Sequence, residues 1–109
     1  MILNVGYARG PEIARRLEEN NIVLNYQASP VEEGFTASGS LRMGVAEMTR
    51  FGMVASDFDK VAELMKDVID HDKDVKQAVA DFRKQFLTMQ YCFNVADFQD
   101  QFEEIHALI

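Results

Sequence analysis

The sequence has few of the features that form disulfides, cross membranes or bind polyanions. Its single cysteine, Cys92, cannot form an internal disulfide, and between Tyr91 and Phe93 we expect its thiol to pack rather than to react. No apolar run approaches the roughly 20 residues that span a bilayer, and the N-terminus lacks the basic segment and apolar core of a secretory signal. We therefore expect a cytoplasmic protein without a membrane partner.

Basic residues are also scarce. The chain carries 11 lysines and arginines against 18 aspartates and glutamates, which gives a formal net charge of −7. A domain of this sign repels phosphate backbones unless its bases cluster on one face, and here the arginines are scattered among acids. Neither nucleic acid nor an anionic membrane surface is therefore an expected partner.

The two histidines do not indicate a metal site. His71 and His106 lie far apart, and neither has a cysteine or another histidine at ligand spacing. We expect both side chains to be solvated on helices.

Length and composition predict one globular domain over residues 1–109, since the chain has 109 residues, 48% of them hydrophobic and 27% charged. The first half alternates short strands with one helix. Gly10-Pro11 favours a helix that ends near Asn20-Asn21 and buries Ile13, Ala14 and Leu17, with Arg15 and Arg16 facing water. The remaining apolar runs predict strands over Ile2–Tyr7, Ile22–Tyr26 and Leu41–Val45, with a polar loop over Ala28–Ala37.

The second half is predicted to be helical. Ser56 is a candidate N-cap, and apolar residues then recur at steps of three and four, first in Phe58, Val61, Leu64, Met65 and Val68, then in Val75, Val79, Phe82 and Phe86. The first stripe is more typical of core than of a cofactor site. Within 88–109, a fourth amphipathic helix carries Phe98, Phe102, Ile105 and Leu108, and its partner is either this domain or another chain.

One stretch points to ligand binding. It reads Ser38-Gly39-Ser40-Leu41-Arg42-Met43-Gly44 and is followed by Thr49-Arg50-Phe51-Gly52. An arginine on such a strand can hold a carboxylate, because its planar fork presents paired N–H donors and keeps its charge at any working pH. The alternative is a surface arginine on an edge strand.

A second stretch, from Asn21 to Pro30, gives the first a family context. As an ordered set, Ile22 to Asn25, Pro30, Ser38-Gly39, Arg42-Met43-Gly44 and Thr49 to Gly52 resemble the C-terminal domain of serine hydroxymethyltransferase, from about Met1 to about Phe86. The resemblance implies an α+β fold in which about three strands carry helices packed on one face. It also implies a dimeric pyridoxal-phosphate enzyme that moves a one-carbon unit between serine and tetrahydrofolate, with this small domain packed against a large cofactor-binding domain of the same polypeptide.

The resemblance also implies roles for individual residues. Arg42 corresponds to the arginine that binds the α-carboxylate of the amino acid, and Ser38 with Gly39 would shape the approach to it. Asn25 and Gln27 would lie on the folate side, while Thr49 and Arg50 would stabilise a turn. The family usually has Gly-Thr-Pro where this chain has Gly44-Val45-Ala46, so folate use is left open.

Cofactor chemistry needs residues that this sequence does not present in the expected motifs. The lysines all lie in the helical half on faces that we expect to be solvated, and no glycine-rich phosphate loop precedes a helix. We therefore expect that the domain alone binds no pyridoxal phosphate and does not catalyse. The first hypothesis is a fragment of a larger enzyme, which should expose an apolar patch where the large domain packs. The alternative is a free-standing amino-acid-binding or protein-interaction module.

Overall fold

A computed structural model describes residues 1–29, 37–90 and 95–109. The predictions for Pro30 and for Cys92 lie outside these residues. In chain order the elements are β1 (Ile2–Asn4), α1 (Gly10–Glu19), β2 (Asn25–Gln27), β3 (Ser40–Arg42), α2 (Ala46–Arg50), α3 (Ala55–His71), α4 (Lys76–Arg83), a 3₁₀ turn (Val95–Phe98) and α5 (Gln99–Leu108).

The three strands form one antiparallel sheet in the order β1-β3-β2, so β3 is the central strand. Helices pack against one face of this sheet through Leu41, which is fully buried beside Ile13 and Leu17 of α1 and Val68 of α3. The predicted α+β class is confirmed. None of the helices in the described part of the chain is both long and apolar enough to cross a membrane.

The strands are shorter than the apolar runs predict, for reasons visible in the backbone. Asn21 adopts the left-handed conformation with φ of 66°, and the Ile22 N–H donates to the Leu17 carbonyl at 2.9 Å to close the end of α1. Because Ile22 is used in this helix cap, β2 begins only at Asn25. At its C-terminal end, β3 stops at Arg42 because the chain then turns into α2, a short helix that the sequence did not predict.

Two side chains of the helical layer differ from expectation. Arg16 was expected to face water, but its guanidinium packs across α3, donates to the Val68 carbonyl and pairs with Asp72 at 2.8 Å. At the start of α3 the cap is not Ser56. The helix begins at Ala55, and the Asp57 carboxylate accepts the Val54 N–H at 2.9 Å. An acid in the first turn can satisfy this donor and also complement the helix dipole.

Of the last elements, α4 packs against this core through Val79 and Phe82. α4 ends at Arg83, so Phe86 follows the helix and meets Phe82 edge to face at 5.2 Å between ring centroids. Within the described residues, α5 packs mainly on the 3₁₀ turn that precedes it. Its apolar positions stay open, since Ile105 is 55% and Leu108 87% exposed.

Candidate functional site

The sheet has one polar face, which is turned away from the helices. Side chains of paired residues in an antiparallel sheet lie on the same side, and alternate residues along a strand share that side. The register aligns Asn4 with Ser40 and Gln27 in one row, and Ile2 with Arg42 and Asn25 in the next. We use the name polar face for the polar side chains of these two rows, Asn4, Asn25, Gln27, Ser40 and Arg42.

The register therefore brings together three of the four residues that the sequence singled out. Arg42 lies at the centre of the polar face, with Asn25 directly opposite on β2 and Gln27 in the neighbouring row. Arg42 is not on an edge strand, because β3 pairs on both sides. For the surface-arginine alternative, the solvent exposure is confirmed and the edge strand is wrong, while the carboxylate role stays a prediction.

The Arg42 guanidinium is available to a ligand. Among the residues that the structure describes, it makes no hydrogen bond or ion pair, whereas Arg15 pairs with Glu19 and Arg83 stacks on the Phe51 ring at 4.9 Å. The donors of the guanidinium fork are thus open to an anion, and a carboxylate is one anion whose two oxygens fit that fork.

Ser38, the fourth predicted residue, joins β3 to α1 through its backbone. It is half-buried just before β3, and its carbonyl accepts the Gly10 N–H at 2.6 Å at the start of α1. Gly10 allows this approach because it has no Cβ: an added Cβ would lie 2.5 Å from the Ser38 carbonyl oxygen. This contact joins α1 to the start of β3. Among the described residues, Ser38 makes no hydrogen bond to Arg42.

The sequence reading missed Ser40 and Asn4. Ser40 is fully buried, and its hydroxyl donates to Asn4 Oδ1 at 2.7 Å across the β1–β3 pair. Alternation along β3 was the available signal, because a residue two positions before Arg42 must share its face.

The segment Thr49-Arg50-Phe51-Gly52 ends α2 and caps it. Thr49 Oγ1 donates to the Val45 carbonyl at 2.8 Å, and Gly52 has a positive φ of 97° that suits the residue after a helix. The Arg50 carbonyl accepts the Gln90 N–H at 2.6 Å, which ties the end of the helical layer to α2. These contacts support the structural role expected for this segment.

Apolar surface remains open in two cavities beside α3. One, of about 330 Å³, lies between α2, α3 and α4 and is lined by methionines such as Met43, Met48 and Met53. The other, of about 520 Å³, lies between β1 and α3, with Leu3, Met65 and Ile69 in its wall. These cavities and the exposed apolar side chains of α5 are the apolar surface that the described part of the chain leaves uncovered.

The chain's own residues do not fit a pyridoxal-phosphate site. All of its lysines are exposed, and they lie on or beside α3 and α4: Lys60, Lys66, Lys73, Lys76 and Lys84. Three of them pair with nearby carboxylates, as Lys73 does with Asp67 at 3.8 Å. A lysine that forms a Schiff base needs a desolvated site instead. His71 and His106 are exposed on α3 and α5, and the described ranges contain no cluster of three metal-ligating side chains.

No protein-family model and no solved structure matches the chain, but curated proteins do. The serine hydroxymethyltransferase of Saccharolobus islandicus is 42% identical over 93 residues, which cover 81% of this chain and 22% of that protein. The enzyme of the same name from Sulfolobus acidocaldarius is 34% identical over 105 residues, 92% of this chain and 24% of that protein. That of Methanothermobacter thermautotrophicus is 41% identical over 88 residues, 78% of this chain and 21% of that protein. The chain thus spans less than a quarter of the length of these relatives.

Proposed function

We propose that this chain, which is similar in sequence to the serine hydroxymethyltransferases, corresponds to their C-terminal domain and serves as the small domain of a larger enzyme of that kind. The enzyme would transfer a one-carbon unit between serine and a folate. This domain would contribute the arginine that holds the substrate carboxylate. Two observations support a role as one part of a larger whole: the short span of the relatives that it covers, and the open apolar surface at the cavities and α5.

The observation that carries the carboxylate assignment is Arg42, exposed at the centre of the polar face and without an ionic partner in the described part of the chain. β3 is held on both sides, so the backbone that carries Arg42 is fixed in place. A carboxylate bound in this fork gains two charge-assisted hydrogen bonds. In a closed site, where water is excluded, these bonds would contribute about 2 to 4 kcal/mol.

Asn25 and Gln27 would lie on the folate side of this arginine. Both come from β2, on the same face of the sheet as Arg42, and Gln27 is half-buried. Their amides can donate and accept hydrogen bonds at once, which suits a heterocycle with mixed donors and acceptors along its edge. Ala46, the first residue of α2, stands where the family usually has proline, so the sequence on this side of the site differs from the usual pattern.

The cofactor would be bound elsewhere, because the exposed lysines of this chain do not offer an anchor for it. Held by the large domain, pyridoxal phosphate would supply the electron sink for chemistry at the Cα of the amino acid. This chain's part is to bind and orient the amino acid by its carboxylate. The large domain that holds the cofactor, a homodimer and a cytoplasmic location all belong to this proposal, and the isolated chain would not catalyse.

The first experiment is an immunoblot, with an antibody raised against this domain, of cells that express the protein. A band several times larger than 12.4 kDa would agree with a domain of a larger enzyme. A band at the size of this chain would refute the enzyme assignment and leave a free-standing binding module.

The second experiment tests Arg42 in the intact polypeptide. We expect Arg42→Ala to raise the KM for serine by roughly 30-fold or more, which follows from a loss of about 2 to 4 kcal/mol. Arg42→Lys should be nearly as harmful, because an ammonium group cannot form the forked pair. Arg15→Ala is the matched control, since Arg15 is exposed on α1 and only pairs with Glu19. Unchanged serine kinetics in both Arg42 variants would overturn the assignment.

A further inference from the structure

Besides Arg42, Asn25 and Gln27, the polar face carries a further side chain with hydrogen-bond donors, that of Asn4 on β1. Ser40 is fully buried, and a buried hydroxyl must find an acceptor for its proton. Within the described residues that acceptor is Asn4 Oδ1, at 2.7 Å. The contact fixes which end of the Asn4 amide points inward, because only the oxygen end can accept.

The amide is therefore oriented with its Nδ2 group away from Ser40. Asn4 itself is exposed, and its two N–H donors have no partner among the residues described by the structure. Asn4 and Arg42 are diagonal neighbours on the same side of the β1–β3 pair. Diagonal neighbours of this kind have Cα atoms about 7 to 8 Å apart, which leaves long side chains within reach of each other.

We propose that Asn4 is a further ligand-binding residue, whose amide N–H donates to the same carboxylate that the Arg42 fork holds. Ser40 is the positioning residue that keeps the amide in this orientation. The inference rests on the proposed function, because it takes the carboxylate on Arg42 as given. The site would accept a small molecule with a free carboxylate, such as an amino acid, and would bind its oxygens from two strands at once.

The test is nuclear magnetic resonance on the intact polypeptide, with this domain isotope-labelled, titrated with L-serine and separately with ethanolamine, which lacks the carboxylate. The side-chain N–H groups of asparagine and arginine give their own signals, so each contact is read directly. We expect serine, but not ethanolamine, to shift the Nδ2 signals of Asn4 together with the Nε signal of Arg42.

Two variants separate binding from structure. Asn4→Asp keeps an oxygen for the Ser40 hydroxyl but removes the donor and places a negative charge beside the ligand, so it should weaken serine binding by roughly tenfold or more. Gln101→Glu makes the same amide-to-acid change on α5 and should leave binding unchanged. In Ser40→Ala the Asn4 amide loses its anchor, and its signals should shift less on serine addition.

Each outcome has a distinct meaning. If the Arg42 signal moves while the Asn4 signals and the affinity of Asn4→Asp stay as in the control, the role of Asn4 is wrong and the carboxylate site of Arg42 stands. If serine moves neither signal, the carboxylate assignment of Arg42 fails as well. Equal shifts with serine and ethanolamine would show that the amino or hydroxyl group, rather than the carboxylate, is recognised, and would overturn the proposal.

Discussion

The close contact between Gly10 and the start of β3 predicts that Gly10→Ala lowers the free energy of unfolding, and the distances give the size of the effect. An alanine at position 10 would place its Cβ 2.5 Å from the Ser38 carbonyl oxygen and 3.0 Å from that of Ser40. Real Cβ atoms essentially never approach closer than 3.0 Å, so α1 must retreat from the strand or β3 must shift. The Tyr26 Cβ, also at 3.0 Å, blocks the neighbouring direction.

The free energy of unfolding should fall by about 1 to 3 kcal/mol in Gly10→Ala. Overpacking of this kind costs about 1 to 3 kcal/mol, and the bond from the Gly10 N–H to Ser38 adds about 1 kcal/mol when it stretches. The better helix propensity of alanine offsets up to about 1 kcal/mol. For a domain of this size the loss corresponds to a Tm lower by roughly 5 to 20 °C.

Urea denaturation followed by circular dichroism measures this difference. Gly44→Ala is the matched control, because nothing lies within 4 Å of a Cβ built at Gly44. We expect the control to stay within about 0.5 kcal/mol of the natural protein. If Gly10→Ala were as stable as Gly44→Ala, the close approach of α1 to β3 would not exist as described.

Three further predictions concern the helical layer and can be measured by the same denaturation experiment. Asp57→Ala should cost about 0.5 to 1 kcal/mol because it removes the acceptor for the Val54 N–H, while Ser56→Ala should be nearly neutral. Asn20→Ala should cost about 1 to 3 kcal/mol, since Asn20 Oδ1 accepts the Val75 N–H at 2.7 Å in a part-buried position. Asn20→Asp keeps that acceptor and should lose less; an equal loss would contradict this account. Removal of residues 95–109 should leave the stability of the rest within about 0.5 kcal/mol, and a larger loss would mean that α5 packs on the body of the domain.

The sequence predicts the fold class well because its signals are local. Ile13, Ala14 and Leu17 recur at helical spacing and are buried as expected, and Asn21 takes the left-handed position that ends α1. The predicted bounds of the strands were less accurate. The Ile22 N–H closes the end of α1, and β2 begins only at Asn25. α2 was missed because five residues are too few to show a helical period.

The candidate site could be predicted only in part. Alternation puts Ser40 and Arg42 on one side of β3, but the register that adds Asn25, Gln27 and Asn4 depends on which strands pair. Sequence spacing does not give that pairing, because β1 and β3 are separated by a helix and another strand. Arg16 shows the same limit: it follows the exposed Arg15 on α1, and only the packing of α3 against α1 brings the Val68 carbonyl to its guanidinium.

Among the described residues, α5 contacts little besides the 3₁₀ turn, and this affects how it would bind another molecule or domain. A helix of ten residues is marginal in water when no tertiary surface supports it. Whatever surface covers Ile105 and Leu108 must therefore also order the helix, so part of the interaction free energy goes into folding rather than into affinity. Association at this end would be accompanied by a gain of helical circular dichroism and by a negative heat-capacity change, whichever molecule provides the surface.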